Sequence, residues 1–510
     1  MFSKVISCAV LGVNGVMIGV EADVSAGLPM FTMVGYLSSS VKEAGERVRT
    51  ALRNSGYQLP PRHITINLSP ANLRKDGSGF DLPVAVSVLL AEGSPVAVDM
   101  EHIAVIGELS LDGSVKPVRG VLSMVCHCHE SGITGCIVPR ENAGEAALVE
   151  GMKVYAVSSL QETIDFIQGR YVSEYVKPAV SSEAILTDQE EHDFADIRGQ
   201  EMLKRGMEIA AAGFHNVLMT GAAGAGKSML ARCLPSIMPE LSFEERLEIT
   251  KIYSISGLLT ERDTLITKRP FRAPHHTVSD HALTGGGMIP RPGEVSLAHH
   301  GVLFLDELPE FGKNVLEVLR QPLEDRKITI SRVNATYVFP ADFMLVAAMN
   351  PCPCGHYPDM KKCTCTPVQI MRYQNRISGP LLDRIDINMD VKPIQYEELF
   401  MGRQGEKSSS IRERVERARQ IQAKRFDGET INFNAQMDGK MLQKYVSLPQ
   451  EGQELMEHAF RNMSLSARGT HRILKLARTI ADLDGSDSIE VIHLREAIFY
   501  RNSGVNQYVS

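Results

Sequence analysis

The sequence predicts an α/β protein with a parallel sheet at its centre, a separate α+β unit before it and a helical region after it. Three observations lead to this fold class. A glycine-rich turn at 221–228 joins a short apolar strand to a helix. Two further apolar strands, 302–305 and 343–349, each run into polar residues. After about residue 405 the β-branched runs become rare, and charged residues recur at helical spacing.

Length and composition limit the class of protein further. The chain has 510 residues, of which 44% are hydrophobic and 23% charged. These values are ordinary for globular proteins and exclude global disorder and a coiled-coil rod. The length predicts three to four domains at about 150 residues each. The net charge of −7 excludes a bulk basic protein that coats nucleic acid, although a local basic channel remains compatible with it.

The first predicted element is a β-hairpin. Lys4 precedes an apolar run at 5–20 that superficially resembles a signal peptide. Asn14-Gly15 in the middle of this run is a strong hairpin signal, and Glu21 and Asp23 follow directly. We therefore predict two strands rather than a leader. The nine cysteines are an odd number and indicate a reducing compartment, so we expect a cytoplasmic protein without a membrane-spanning helix.

Changes in composition mark the predicted domain boundaries. Residues 1–178 alternate short β-rich pieces with helical ones, such as the amphipathic stretch 40–54. Residues 179–195 are polar and acidic and predict a linker. Residues 196–395 carry the strand–turn–helix signals of the parallel sheet, and 396–510 are predicted to be helical.

The turn after the first strand of the parallel sheet matches the eight-residue P-loop pattern. Its residues are Gly221, Ala222, Ala223, Gly224, Ala225, Gly226, Lys227 and Ser228. The glycines let backbone N–H groups close on phosphate oxygens, and the N-terminus of the following helix adds its dipole. Lys227 would reach the β- and γ-phosphates, and Ser228 would hold Mg²⁺. The sequence therefore predicts a site for ATP and Mg²⁺.

Polar residues at the ends of two neighbouring strands complete this predicted site. Asp306 and Glu307 follow the apolar strand 302–305. Asp306 would hold Mg²⁺, and Glu307 would orient or deprotonate the attacking water. Asn350 follows the strand 343–349, at the edge where parallel sheets place their ligands. An apolar strand that ends in Asp-Glu is a weak signal alone and a specific one after a P-loop.

Beyond the P-loop, the residues resemble those of AAA+ ATPases. Asn350 matches the sensor-1 position of that class. Residues 379–386 resemble the segment that carries the trans arginine finger of magnesium-chelatase and minichromosome-maintenance ATPases. The resemblance implies that Arg384 completes the neighbouring subunit's site in a ring, expected to be a hexamer. Arg468 resembles sensor 2 at the start of a lid helix, with Arg472 as the alternative. For each arginine, the competing interpretation is a solvated surface charge.

A cluster of four cysteines follows sensor 1 with the spacing C-x-C-x8-C-x-C. Its members are Cys352, Cys354, Cys363 and Cys365. Four thiolates can close a tetrahedral zinc site, and the polar loop between them has no core of its own, so the knuckle at 351–367 needs the metal to fold. His356 could replace one thiolate. We expect a structural zinc near the pore of the ring. The run 126–129 (Cys-His-Cys-His) is predicted not to bind metal, because adjacent helical residues point in different directions.

Longer motifs resemble one family in particular. Residues 271–277, 285–287 and 291–299, together with the knuckle, look like the ComM/YifB family of magnesium-chelatase-like AAA+ proteins, and 27–31 and 67–70 extend the resemblance over essentially the whole chain. The resemblance implies a cytosolic bacterial homohexamer that acts as a branch-migration helicase on single-stranded or branched DNA. Such a helicase extends recombination intermediates during natural transformation, with the recombinase machinery as a candidate partner.

The N-terminal unit resembles the C-terminal domain of Lon protease, an S5-domain-2-like α+β fold. Residues 107–118 resemble the stretch before the Lon catalytic lysine, whose position falls on Leu122. Residues 75–81 resemble the nucleophile segment, with the serine position near Asp81 and Ser78 out of register. Leucine offers no base to activate a hydroxyl. We therefore predict a non-proteolytic scaffold or DNA-guiding domain.

Candidate DNA contacts lie in a predicted hairpin before sensor 1. Residues 326–338 alternate in polarity and turn near Asn334. In related helicases the corresponding hairpin projects into the pore, where Arg326, Lys327 and Arg332 could track phosphates. The alternative is an ordinary solvated hairpin.

Three functions remain open at this point. The first is an ATP-driven DNA motor. The second is a protein-remodelling or metal-chelatase-type ATPase without a DNA substrate. The third is a Lon-like protease, which Leu122 disfavours.

Overall fold

The computed structural model describes residues 1–170, 192–260, 264–287, 290–332, 335–392, 405–463 and 465–502. These residues form an α/β unit, a parallel-sheet unit and a helical region in chain order, which confirms the predicted fold class. Most of the predicted linker at 179–195 lies outside the described residues. Phe194, near its end, is fully buried in the core of the parallel-sheet unit.

The N-terminal unit is built on a mixed sheet with the strand order β3-β4-β2-β1-β5-β8-β9. A separate two-stranded ribbon consists of β6 and β7. The bounds are β1 Phe2–Leu11, β2 Asn14–Ser25, β3 Met30–Val34, β4 His63–Ser69, β5 Ile103–Val105, β6 Glu108–Leu109, β7 Val115–Lys116, β8 Gly135–Pro139 and β9 Lys153–Val157.

The predicted N-terminal hairpin is present, but its turn is not the expected Asn14-Gly15. Leu11 pairs with Asn14 across the hairpin, so the turn consists of Gly12 and Val13. Gly12 adopts φ +68°, a left-handed conformation that glycine reaches without steric cost. Asn14 and Gly15 instead begin β2.

Five helices cover this sheet: α1 Ser39–Asn54, α2 Asp81–Ala91, α3 Val121–Glu130, α4 Ala143–Ala146 and α5 Leu160–Ile167. In α1 the buried residues include Val41, Ala44, Val48 and Leu52. This is the face that helical spacing predicts. Ser38 caps the helix by accepting a hydrogen bond from the Val41 N–H.

The second sheet contains five parallel strands in the order β11-β14-β17-β10-β18. Their bounds are β10 Val217–Gly221, β11 Phe271–Arg272, β14 Val302–Leu305, β17 Met344–Met349 and β18 Ile387–Val391. Strands β10, β14 and β17 are buried along their whole length. Because parallel strands end at one edge, the residues that follow them meet there.

Nine helices and two ribbons surround this sheet in the described residues. The helices are α6 Glu201–Gly213, α7 Lys227–Ile237, α8 Phe243–Ser256, α9 Asp280–Thr284, α10 Glu294–Leu297, α11 Lys313–Glu317, α12 Arg320–Asp325, α13 Pro367–Gln374 and α14 Gly379–Leu382. The ribbons pair β12 Gly285–Gly286 with β13 Arg291–Pro292, and β15 Lys327–Ser331 with β16 Thr336–Pro340. The turn predicted near Asn334 lies outside the described residues.

The C-terminal region is helical, as predicted. It contains α15 Ser408–Arg425, α16 Gly439–Tyr445, α17 Gln450–Asn462, α18 Ala467–Leu483 and α19 Val491–Asn502. Apolar residues of α18, such as Ile473 and Ile480, share one core with Val217 and Met219 of β10. None of the helices in the described residues combines the length and the hydropathy that a membrane crossing requires.

The N-terminal unit packs against the parallel-sheet unit, and two of the contacts between them bear on the site. Ser254 of α8 donates a hydrogen bond to the buried Glu145 carboxylate and accepts one from the Gly120 N–H at 3.1 Å. Burial raises the pKa of Glu145. At the second contact, the turn residue Gly12 packs so closely on β16 that an added Cβ would lie 3.0 Å from the Val338 carbonyl oxygen. The ribbon predicted to contact DNA therefore packs against the N-terminal hairpin.

Candidate nucleotide site

The P-loop connects the end of β10 to the first turn of α7. Gly224 and Gly226 adopt φ +76° and +90°, conformations that favour glycine and turn the loop back toward the helix. The ammonium group of Lys227 is buried inside the loop. It donates to the carbonyl oxygens of Gly221 and Ala222 at 2.6 and 2.9 Å, and to Asn350 Oδ1 at 3.1 Å.

The environment of Lys227 is electrostatically unusual. Burial lowers the pKa of its ammonium group, while the carboxylates of Asp306 and Glu307 act in the opposite direction. All three donors of the ammonium group are occupied by protein oxygens. A phosphate that enters the loop would therefore exchange these neutral acceptors for charged ones, which make stronger hydrogen bonds.

The residues predicted to hold Mg²⁺ are in contact. Ser228 Oγ donates to Asp306 Oδ2 at 2.7 Å, and Asp306 Oδ1 accepts from the Glu307 N–H at 2.9 Å. A hydroxyl and a carboxylate beside a phosphate site are the donor set that Mg²⁺ prefers. The geometry of these residues therefore fits the metal that the sequence predicts.

Glu307 has a partner that sequence reasoning missed. Its backbone adopts φ +52°, an uncommon conformation for a residue other than glycine. Its carboxylate lies 3.4 Å from Nδ1 of His276. The His276 ring packs against His275 and meets the edge of Phe311. The sequence signal that could have identified His276 is the motif 271–277, which supports the family resemblance but suggests no chemical role for this histidine.

Arg384 and Arg468 lie together, in a second cluster. The Arg384 side chain is only 6% exposed and pairs with Glu324, and Arg468 is 69% exposed and lies 4.0 Å from the same carboxylate. Arg384 also donates to the Pro380 carbonyl oxygen. Among the described residues, neither arginine forms a hydrogen bond or ion pair with the P-loop, Asp306 or Asn350. A cleft of about 680 Å³ borders Arg384 and Glu324.

Arg472, the alternative to Arg468, has a different environment. It pairs with Asp386, a buried carboxylate that also accepts from the Asn216 N–H at 3.0 Å and lies 3.5 Å from His215 Nδ1. Burial alone would raise the pKa of Asp386, but Arg472 and His215 outweigh it and hold this pKa far below its usual range. Arg472 thus ties α18 to the base of the sheet, and sequence reasoning had not identified Asp386.

The four cysteines of the predicted knuckle converge. Their Sγ atoms all lie within 4.8 Å of one another, with three of the separations at 3.3, 3.8 and 3.6 Å. Zinc–sulfur bonds of about 2.3 Å in a tetrahedron place sulfurs about 3.8 Å apart. The four thiols therefore fit zinc. His356 is exposed and does not belong to this group.

A second group of metal-binding residue types has the wrong hydrogen bonds for a metal. Glu248, His299 and His300 converge within 4.8 Å. His299 Nδ1 accepts a hydrogen bond from the Asp342 N–H at 3.0 Å, so the proton of the neutral ring is on Nε2, which lies 3.0 Å from Glu248 Oε2. A protonated nitrogen is not a ligand, and this group instead links α8 to the segment before β14.

The three predicted DNA-contacting residues have unequal exposure. Arg326 ends α12 with φ +55° and lies 3.6 Å from Asp342, and burial lowers its pKa. Arg332 donates to the Gly287 carbonyl oxygen at 3.0 Å. Lys327 is exposed at the start of β15. Lys327 and Arg332 are both exposed to an external phosphate, whereas Arg326 is half-buried.

The positions that correspond to the Lon catalytic residues are occupied by residues of other types. Leu122 is fully buried in α3. Asp81 is buried and accepts two hydrogen bonds from Arg47, at 2.9 and 3.0 Å. Ser78 donates to Glu108. A leucine and a carboxylate bound to arginine cannot form a serine–lysine pair.

These features define a class of protein. The parallel sheet carries a P-loop after β10, a polar residue after the adjacent β17 and an acidic pair after β14, the next strand along. With a helical region packed on the sheet, this is the architecture of an AAA+ ATPase module.

Comparisons with known proteins give the family. The model for magnesium chelatase, subunit ChlI, matches residues 193–399, that for subunit ChlI of Mg-chelatase matches 20–142, and that for the ChlI C-terminal region matches 405–501. YifB of Escherichia coli strain K12 is 43% identical over 495 residues, covering 97% of this chain and 96% of YifB. Competence protein ComM of Haemophilus influenzae is 42% identical over 500 residues, covering 98% and 97%.

The chain therefore belongs to the ComM/YifB family of magnesium-chelatase-like AAA+ ATPases, as its motifs predicted. Lon protease of Salinispora arenicola is 27% identical over 170 residues, which are 31% of this chain and 21% of that protease. This match supports the Lon-like homology of the N-terminal region.

Proposed function

We propose that this protein is an ATP-driven DNA motor that assembles as a homohexamer and moves branch points in recombination intermediates. The proposal assigns ATP to residues 221–228 and hydrolysis to Asp306, Glu307 and Asn350. It assigns the N-terminal residues 1–178 a non-proteolytic role in guiding DNA, and 396–510 the role of connection and lid.

The observation that carries the proposal is the division of the predicted site into two clusters. Lys227 contacts Asn350 and the adjacent Ser228 contacts Asp306, whereas Arg384 and Arg468 meet at Glu324. Hydrolysis needs a positively charged group beside the γ-phosphate, because negative charge on its oxygens must be stabilised in the transition state. If a ring brings the arginine cluster of one subunit to the P-loop of the next, each site becomes complete at a subunit boundary.

The residues of the P-loop cluster have distinct proposed roles. Ser228 and Asp306 hold Mg²⁺, which neutralises charge on the β- and γ-phosphates when bound. Lys227 leaves its loop carbonyls to contact the phosphates. Glu307 orients the attacking water and accepts its proton, while Asn350 positions the γ-phosphate. The four cysteines of 351–367 hold a structural zinc.

DNA as the substrate rests on the relatives and on the β15–β16 ribbon. The Haemophilus influenzae relative is a competence protein by name, and competence is the capacity for DNA uptake. Lys327 begins β15 and Arg332 follows its last residue; both side chains are exposed and open to a phosphate. We place the protein in the cytoplasm, with the recombinase machinery as a candidate partner.

A protein-remodelling or metal-chelatase-type ATPase is the second candidate. The family models that match 193–399 and 405–501 are those of a magnesium chelatase subunit. These matches are compatible with any ATPase that has the magnesium-chelatase-like AAA+ core, including a protein remodeller or a chelatase.

Two measurements separate the candidates. We expect single-stranded DNA to stimulate ATP turnover several-fold and ATP to drive strand displacement from a branched substrate, with Lys227→Ala inactive in both. Lys327→Ala should lose the DNA stimulation and keep the basal turnover. Turnover indifferent to DNA, without strand displacement, would support the remodelling alternative.

A mixing experiment tests the trans arginine. Glu307→Gln and Arg384→Ala should each lack turnover alone. If Arg384 acts on the neighbouring subunit, mixed rings contain sites with an intact Glu307 and an intact neighbouring arginine, and turnover returns on mixing. An inactive mixture that still forms hexamers by light scattering would contradict the trans role.

A further inference from the structure

The knuckle lies beside the P-loop. Cys352 follows Asn350 by two residues, and the turn it begins passes close to Ala223. A Cβ placed on Gly355 would lie 3.7 Å from the backbone nitrogen of Ala223 and 3.9 Å from Cγ of Asn350. Ala223 and Gly224 are exposed, so Gly355 lies beside the open face of the loop, where a phosphate would enter.

The position of Gly355 depends on the cysteines. Gly355 donates its N–H to the Cys352 carbonyl oxygen at 3.0 Å and adopts φ +79°. This tight turn spans 352–355 and so contains two of the four thiols, Cys352 and Cys354, whose Sγ atoms are 3.3 Å apart. The Tyr357 N–H donates to Cys352 Sγ at 3.4 Å. The sulfur cluster therefore determines where Gly355 lies relative to the P-loop.

No apolar core supports this loop in place of a metal. Of the four cysteines only Cys352 is buried, and the residues from His356 to Lys362 are polar or exposed. A loop without a core of its own takes its fold from the metal that its four thiols share. Loss of the metal would therefore release Gly355 from Ala223 and Asn350.

We propose that the four-cysteine knuckle forms one wall of the nucleotide site, so that zinc binding and nucleotide binding strengthen each other. The inference rests on the proposed binding of ATP at the P-loop. Zinc holds Gly355 beside Ala223 and Asn350, and Asn350 in turn holds the Lys227 ammonium group. A nucleotide binds more tightly to a loop whose wall and lysine are already in place. By thermodynamic linkage, bound nucleotide must raise the affinity for zinc by the same factor.

The linkage is measurable without any turnover assay. The full chain, zinc-loaded or stripped with a chelator, is titrated with fluorescently labelled ADP, and binding is followed by anisotropy. We expect stripped protein to bind about fivefold more weakly or worse, the lower end of typical coupling. In the reciprocal titration, saturating ADP should raise zinc affinity, measured by competition with a chelator of known affinity, by the same factor. In Lys227→Ala, ADP should leave zinc affinity unchanged.

A pair of glycine variants tests the contact with zinc retained. Gly355→Ala introduces a Cβ beside Ala223 in a left-handed residue. Gly428→Ala is its matched control, because Gly428 has φ +78° and no atom within 4 Å of an added Cβ. Both variants should keep full zinc content and wild-type far-UV circular dichroism. Gly355→Ala alone should lose ADP affinity.

The outcomes distinguish this inference from the proposed function. Equal ADP affinity of zinc-loaded and stripped protein, or equal affinity of the two glycine variants, would overturn the wall role and leave ATP binding intact. A zinc-loaded wild-type protein that binds no nucleotide would overturn both. If the stripped protein aggregates, the comparison of Gly355→Ala with Gly428→Ala and the zinc competition still test the wall role.

Discussion

Replacement of Asp386 by asparagine should weaken the attachment of α18 to the parallel sheet. Asp386 is 3% exposed and pairs with Arg472 of α18, while its second oxygen accepts from the Asn216 N–H at the start of the P-loop strand. The asparagine side chain would keep the shape and an acceptor for the Asn216 N–H but lose the charge. Arg472 would then be left without its counter-ion. Lys475, whose pKa burial lowers to about 8, would lose the carboxylate that most favours its charged form.

The magnitude follows from the burial of the pair. Removing one partner of a buried ion pair costs about 3–5 kcal/mol. Arg472 keeps 21% of its surface exposed, so water can solvate part of the freed charge, and we expect the lower end, about 3 kcal/mol. Local opening of α18 should become roughly 100-fold more frequent.

Native-state hydrogen exchange of the α18 amides measures this opening directly. A global unfolding curve is less suitable, because a chain with several units need not unfold in two states. Asp383→Asn is the matched control. Its carboxylate is 47% exposed and lies 3.8 Å from Arg501, so its loss should cost well under about 1 kcal/mol. Unchanged α18 exchange in Asp386→Asn, or an equal effect of Asp383→Asn, would refute the reasoning.

The pH dependence has a defined sign. Because the pKa of Asp386 is lowered in the folded protein, its stabilisation is fully present above the unfolded value of about 3.9 and is lost as the pH falls further. The difference in α18 exchange between wild type and Asp386→Asn should therefore be present at about pH 6 and shrink below about pH 4.

Three further predictions concern the site itself. Glu307→Gln should retain binding of labelled ADP and lower phosphate release at least about 100-fold, because an amide cannot accept a proton; undiminished release would remove Glu307 from the mechanism. His276→Ala should lower kcat about two- to fivefold with KM unchanged, the range of an exposed ion pair. His102→Ala is its control, because His102 forms an exposed pair with Asp99 in the N-terminal unit; equal effects of the two changes would contradict a specific role. Metal analysis should find near one zinc per chain in the wild type and a loss in Cys363→Ser, and a metal-free wild type would exclude the zinc site.

Much of the nucleotide site was predictable because its signals are local. The P-loop pattern is continuous along the chain, and its flanking strand and helix determine where Lys227 lies. Asp306 and Asn350 follow apolar strands that must be parallel neighbours, so their convergence follows from the sheet alone. The four cysteines lie within fourteen residues, and their spacing was sufficient to predict that they meet.

Only the tertiary structure decided which distant residues meet, because a charged residue in a sequence can pair with any opposite charge that the fold brings near it. Arg468 and Arg472 are four residues apart and equally charged, yet one is exposed near Glu324 and the other binds the buried Asp386. The close approach of Gly355 to Ala223 likewise involves segments more than 130 residues apart. Local spacing sets the backbone pattern and the chemistry of each motif, whereas the packing of whole elements sets which motifs touch.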